Sequence, residues 1–375
     1  LKATSKTLPS RRLLSPAESM NALTIGSVHA DESGVAHYMA RRFDIMPMQD
    51  QISPAMRVGH GFRRSIKPEI LFAGGRQLHQ ELLNSAMPTF RMDDSKIGPG
   101  QKVAWDSTVP GSISNTVFTR GTSNATALAT RSAVRIHDML IDLREQQRES
   151  IPDNLMAVLM KTLLVHGARQ GDSAKEQIEA ALKTASNSRT FKTVTARYLG
   201  YGAVDIERVL TCTDQRATVL GCGEIKENQI HEYDFPLPPA LSAQRLWRRL
   251  IVTLAWFTPI NPSHRNLREA KLELFPGTSN WASNPLKLDR IDGDHNQVLR
   301  GTVQHEVLDG SKVISAYQDG DVVKIRVACK KDATARLDDV IPYGLAVTLE
   351  VKEDISIYQE IQARIKPKVA IGTST

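Results

Sequence analysis

The hydrophobic positions of this chain fall into two regimes. From about Asn21 to Leu210, short β-rich runs alternate with long helical periodicities, which is how an α/β layer fold reads in sequence. Asn21 to Val28 has strand composition, and Lys67 to Gly75 is a short apolar burst ended by glycines. Between Asn124 and about Gln147 the spacing becomes helical, with Ile136, Met139, Leu140 and Leu143 at i, i+3, i+4 and i+7 on one face. A second helix is expected from Asn154 to Val165. There Leu155, Met156, Val158, Leu159, Met160, Leu163 and Leu164 cover so much of the circumference that the helix must be largely buried. Gly167 is placed to end it.

Beyond about residue 211 the pattern is β. Leu250 to Phe257, Val322 to Val327 and Leu345 to Val351 are apolar or alternating runs separated by Pro, Gly, Asn and Asp clusters, the signature of a sandwich or jelly roll. Phe235 to Pro239 reads as a stiff segment near the entrance of that region. The expected organisation is two domains, an α/β parallel-sheet domain over residues 1–215 and an all-β domain over 225–375.

Composition narrows the class. With 41% hydrophobic and 24% charged residues in 375, the chain has the make-up of a folded globular protein. No run approaches the roughly 18 apolar residues of a spanning helix, and no apolar leader is visible. The chain starts at Leu1, not Met, and Lys2 to Arg12 reads as polar loop, so this start is expected to be a cut end. Cys212, Cys222 and Cys329 are odd in number and widely spaced, which suits reduced thiols in a cytoplasm better than a disulfide scaffold or a zinc site. The net charge of +7 raises nucleic acid as a partner. The pairs Arg41-Arg42, Arg63-Arg64 and Arg248-Arg249 are scattered among acidic residues, however, so a solvated surface and no nucleic acid is the expectation.

Candidate chemistry sits at Phe118 to Thr126, where Gly121, Thr122 and Ser123 open the first helical pattern. A serine hydroxyl is a weak nucleophile and needs exposure, a base, and donors for the oxyanion formed on attack. The first turn of a helix supplies unpartnered N–H groups and a favourable dipole. The plain alternative is that Ser123 only caps the helix.

Gly121-Thr-Ser123 followed by Ala125 resembles the serine signature of the subtilisin-like peptidases, the subtilases. Three other segments match that family in order. Asn21 to Gly26 resembles the strand after its oxyanion-hole loop, Lys67 to Leu71 with Gly74 resembles its Lys-Pro-Asp segment, and Gly200 to Val204 resembles the Gly-Tyr-Gly stretch that opens its last helix. The resemblance implies the C-terminal part of a subtilisin-like domain, with Ser123 as nucleophile, Gly121 and Thr122 against substrate, and a polypeptide as substrate. The family's Asp, His and oxyanion-hole Asn would precede Asn21, so the isolated chain is expected to be nearly inactive. It is also expected to expose an apolar strand edge at Asn21 to Val28 and to aggregate, with the region from about residue 225 soluble alone.

The chain departs from the family at Asn124, Ala127 and Ala73, where Met, Pro and Pro are usual; none of the three supplies a catalytic proton or charge. Asn124 to Thr126 also spells a glycosylation sequon, which is discounted because a sugar there would block the cleft. Asp31 and His60 mimic the missing Asp and His, but they lie after the Asn21 strand and read as surface loop. His137 follows Ser123 by fourteen helical positions, about 20 Å along the axis, too far to serve as its base. His166, His231, His264, His295 and His305 lack metal-like spacing. Asp289, Asp292, Gly293 and Asp294 do not match a calcium loop, so neither metal nor other cofactor is expected. Gly221 to Gly223 lacks the helix of a nucleotide fingerprint. The competing expectation is a non-catalytic module whose β region binds a protein partner through Trp247, Trp256 or Trp281, although such tryptophans usually pack inward.

Overall fold

The structure is a computed structural model that describes residues 11–31, 41–46, 51–83, 89–147, 151–291, 299–364 and 369–371. Its first half is built on a four-stranded sheet in the order Ile25–Val28, Ile70–Ala73, Ala203–Val204, Ala168–Arg169. The first three strands run parallel, with Ile25 opposite Ile70 and Leu71 opposite Ala203, and the last runs antiparallel. Strand alternation splits Ile70–Ala73 between two cores. Ile70 and Phe72 join a cluster with helices α1 (Thr122–Gln147) and α2 (Asp153–His166), whereas Leu71 and Ala73 face α3 (Asp172–Leu182) and α4 (Phe191–Leu199).

Ile136 and Leu140 of α1 are fully buried, with Met139 and Leu143 partly buried beside them. α2 is buried over most of its circumference, as its apolar density predicts. Gly167 does end it, though with φ −74° and not in a left-handed turn. Close approach is the reason for glycine there, since a Cβ would lie 2.6 Å from Val209 Cγ2. The expected open edge at Ile25–Val28 is covered along Ser27 to His29. Ser53 N–H donates to Ser27 O (2.9 Å), His29 N–H donates to Gln51 O (2.6 Å), and Ser27 and Val28 are buried.

From Arg216 onward the described sheets are antiparallel. One has five strands in the order Arg216–Ile225, Ile341–Val351, Arg248–Trp256, Val303–Gly310, Asp289–Arg290. The other has four, in the order Ala270–Pro276, Val322–Lys331, Ile230–Pro236, Val369–Ile371. Side chains of both meet in one apolar cluster that includes Trp256, Leu272, Ile325 and Leu345. Phe235 to Pro239 is not an entrance to this region: Ile230–Pro236 pairs with Val322 to Ala328, and Phe235 and Leu237 are buried in the common cluster.

α2 lies against the outer face of the five-stranded sheet, so Ala255, Val303 and Ala346 join its apolar cluster. Two buried polar groups of α2 complete that seam. Lys161 Nζ donates to Asn21 O (2.9 Å), Trp256 O (3.1 Å) and Thr302 Oγ1 (2.8 Å). His166 bonds Thr253 Oγ1 through Nδ1 (2.8 Å) and Thr348 Oγ1 through Nε2 (2.6 Å). Burial pulls the Lys161 ammonium down to about 7. Asn21 adds a two-way amide link to Thr258, giving and receiving one bond.

Candidate active site around Ser123

The strand Thr116–Thr119 runs into Arg120 and Gly121, and α1 begins at Thr122. Gly121 has φ +136°, a conformation closed to residues with a Cβ. Its N–H donates to Gly74 O (2.8 Å), the residue just past the C-terminal end of Ile70–Ala73. Gly74 N–H in turn donates to Val28 O (3.0 Å), the last residue of the neighbouring parallel strand. The turn is therefore stitched to the C-terminal edge of the parallel sheet. A Cβ on Gly74 would stand 3.1 Å from Gly121 O and 2.6 Å from Ser27 Cβ, so the close contact itself demands glycine.

Ser123 sits in the first turn of α1, exposed, and its Oγ has no hydrogen-bond partner among the described residues. Asn124, which stands where the family usually has Met, is buried. Its Nδ2 donates to Thr119 O (2.8 Å) and its Oδ1 accepts from Thr119 Oγ1 (3.0 Å). That side chain closes the strand-to-helix turn, and with its amide buried and engaged it is no acceptor for a glycan. Replacing Gly121 with Ala is expected to destabilise the protein by about 1–3 kcal/mol, the usual cost of forcing a Cβ into such a conformation. Denaturant unfolding of the variant beside the parent protein measures it.

Two arginines fix the loop beside the turn. Arg120 donates to Arg76 O (3.1 Å), Pro99 O (2.8 Å), Ser95 O (2.6 Å) and Ile97 O. Arg42 bonds Asp93 Oδ2 (2.5 Å), Gly98 O (3.2 Å) and Ser95 Oγ (3.1 Å). Burial alone would raise the Asp93 carboxyl, but the bonds from Ser95 and Arg42 outweigh it and hold it below its ordinary value. Nothing in the sequence pattern marks Arg120 as this hub, because its four acceptors are backbone carbonyls of a loop some 20 to 45 positions earlier in the chain.

The histidines divide by place. His29, immediately after Ile25–Val28, is fully buried; its Nε2 pairs with Asp44 Oδ1 (3.0 Å) and its Nδ1 accepts from Gln77 N–H (3.2 Å). Arg76 binds the other oxygen of Asp44 through Nε (2.9 Å). Burial lowers the His29 pKa against the opposing pull of Asp44. No local motif announces this pair in the sequence, and with both ring nitrogens engaged His29 is not a base for Ser123.

His60 is buried, contrary to the surface-loop expectation. It lies at the other end of the sheet: Gly59 N–H donates to Arg197 O (3.0 Å) at the end of α4, and Tyr201 N–H donates to Glu69 O (2.7 Å) just before Ile70. From Glu69 to Gly74 a strand spans roughly 17 Å, which separates His60 from the Ser123 turn. Asp31 is half-buried, and its Oδ2 accepts from Gly100 N–H (2.9 Å), so it latches a loop and is not free surface either. His137 is exposed on α1, and His166 belongs to the α2 seam. Glu32 to Val35, Asp292, Gly293, Asp294 and His295 lie outside the described residues.

Among the described residues no group of three or more His, Cys, Asp or Glu side chains is arranged to hold a metal, and no helix is long and apolar enough to cross a membrane. Trp256 and Trp281 pack inward, while Trp247 is half-buried between Arg249 and Lys352.

A largely parallel sheet with a Gly-Thr-Ser turn stitched to its C-terminal edge and opening a long helix is an α/β arrangement consistent with a subtilisin-like domain. The sequence model of the subtilase family matches residues 8–202, more than half of the chain, and the chain belongs to that family. It is 22% identical over 376 aligned positions to the uncharacterized protein y4bN of Sinorhizobium fredii (strain NBRC 101917 / NGR234), an alignment covering 95% of this chain and 80% of that protein. Among solved structures it has a likeness to the tripod (BppUct-A-L) from the baseplate of bacteriophage Tuc2009. That match has 12% identity, covers 38% of this chain and 49% of the other, and at a TM-score of 0.19 carries no argument.

Proposed function

We propose that this chain is the nucleophile-bearing part of a serine endopeptidase, which cleaves polypeptide through an acyl-enzyme on Ser123. The observation that carries the reading is the placement of an exposed, unbonded Ser123 hydroxyl in the first turn of α1, beside a turn hydrogen-bonded to the C-terminal edge of the parallel sheet. The first N–H groups of a helix lack intrahelical partners and favour developing negative charge, and the Ser123 N–H is the one assigned here as oxyanion donor. Gly121, which leaves open space where a Cβ would be, lets a substrate backbone approach, and Thr122 lines the same turn.

The base, its orienting carboxylate and the second oxyanion donor come from groups outside the described residues. His29, His60 and His166 are held elsewhere by their own partners or places. The residues from Arg216 onward form a β-sandwich domain docked on α2, the chemistry needs no cofactor, and the exposed thiol of Cys212 suits a reducing cytoplasm.

The test is turnover of a denatured protein substrate by the product of the natural reading frame. Ser123→Ala is expected to lower kcat by at least about a thousandfold, a size borrowed from the triad deletions made in subtilisin itself. Unchanged turnover in that variant would reject Ser123 as the nucleophile.

A further inference from the structure

The loop before Lys67, at the end of the parallel sheet away from Ser123, gathers arginines from four separate stretches of chain. Arg12 bridges to Val58, and Arg197 accepts the Gly59 N–H at its carbonyl (3.0 Å). Arg64 closes the loop turn by donating to Gly61 O (3.2 Å), and Arg300 reaches in to donate to Arg63 O (3.2 Å). All four guanidinium groups act on the buried His60 ring, which burial first and these charges second hold down at about 4, so it adds no charge of its own near neutrality. Arg12, Arg64, Arg197 and Arg300 have no ion-pair partner among the described residues. The neighbouring carboxylates are already taken: Asp332 is bound by Arg268 (2.8 Å) and Asn266, and Glu69 by Lys67 and the Thr24 N–H (2.7 Å).

Two further features mark the corner as built for something. The Nε of Arg197 is buried without a hydrogen-bond partner, an arrangement that native structures avoid. Arg63 and Arg64 both adopt left-handed backbone conformations, with φ of 49° and 65°, which bulky residues hold only where the surroundings enforce it. The exposed ring of Phe62 stands beside them.

We propose that this arginine corner is a binding site for a compact polyphosphate group, distinct from the Ser123 site. One carboxylate satisfies a single guanidinium fork, whereas four uncompensated arginines call for several negative charges on one small group. A nucleic-acid strand would need a basic track continuing past the corner. The other arginine pairs do not extend one: Arg42 is held by Asp93, Arg248 by the carbonyls of Leu246 and Leu286, and Arg249 by Asp309.

The test is calorimetric titration of the natural chain with inorganic tripolyphosphate, with a nucleoside triphosphate in a parallel arm. Tripolyphosphate is expected to bind with a micromolar Kd. The exposed-site variants Arg12→Ala and Arg64→Ala are each expected to weaken it at least fivefold, and Arg197→Met at least tenfold, while Arg245→Ala, elsewhere on the surface, leaves it unchanged. Equal affinity for the nucleoside triphosphate supports a site reading phosphate alone, and a gain of tenfold or more supports a nucleotide stacked on Phe62. Absence of tripolyphosphate binding, indifference to Arg12→Ala and Arg64→Ala together, or tighter binding of a 20-nucleotide single strand would each overturn the proposal. None of these outcomes depends on whether Ser123 is a nucleophile.

Discussion

Lys161→Ala is expected to cost about 4 kcal/mol of folding free energy, the largest single loss expected away from the apolar cores. The lysine is buried in α2 and spends its three N–H bonds on Asn21 O, Trp256 O and Thr302 Oγ1, which come from three different segments. Thr302 Oγ1 keeps its bond to Met20 O (2.6 Å), but the two carbonyls lose this donor. An unsatisfied buried polar group costs about 1–3 kcal/mol, and an alanine also leaves a cavity where the stem lay. The relief of no longer burying a charge offsets part of this. Lys161→Met retains the stem and is expected to lose about half as much, so the pair of variants separates packing from bonding. Denaturant unfolding followed by circular dichroism makes the measurement, and a loss below about 1 kcal/mol for Lys161→Ala would show that the seam is not held as described.

Acid is expected to open the same seam through His166. Burial first, then the nearby His305 and Arg208, lower its pKa from 6.5 to about 3 in the folded protein. The unfolded chain therefore binds more protons between those two values, and stability falls as pH drops through that window. Both ring nitrogens are bonded to threonine hydroxyls that are themselves shared, Thr253 with His305 Nδ1 (2.8 Å) and Thr348 with Thr218 Oγ1 (2.7 Å), so a proton added to His166 forces both hydroxyls to turn as acceptors. One pKa unit corresponds to about 1.4 kcal/mol, which makes the full effect several kcal/mol by about pH 3.5. Unfolding curves at pH 7.5, 5.5 and 4 are expected to show the decline, and His166→Gln to show a shallower one. Parallel declines in the two proteins would assign acid sensitivity to carboxylates such as Asp93 instead.

These two side chains also show where sequence reading reached its limit. The density of apolar residues in α2 announced a buried helix, but period and composition say nothing of a lysine and a histidine aimed at strands some 90 to 190 positions later. The Thr122–Gln147 helix and the Gly-Thr-Ser turn were legible because local spacing and a required glycine leave marks in sequence; Gly121 at φ +136° is such a mark. The strand Val303–Gly310 carries Gln304, His305 and Glu306 in succession, which hid it, whereas Ala270–Pro276 alternates Lys271 and Glu273 with apolar positions and was open to sequence reading. Several of these polar groups are buried or paired across strands, as Arg290 with Glu306 (2.9 Å). His29 with Asp44 and Arg120 with its carbonyls are tertiary arrangements without a local signature. His60 misled for the same reason, since only the fold shows it buried at the opposite end of the sheet from Ser123.

The assignment of the Ser123 hydroxyl as a peptidase nucleophile rests on its place in the first turn of α1. It is tested most directly by treating the product of the natural reading frame with a fluorophosphonate and mapping the adduct by mass spectrometry. The expected result is one adduct, on the peptide that contains Ser123, absent from Ser123→Ala and preserved in Arg64→Ala. An adduct on another residue, equal labelling of Ser123→Ala, or no adduct on the natural product would contradict it.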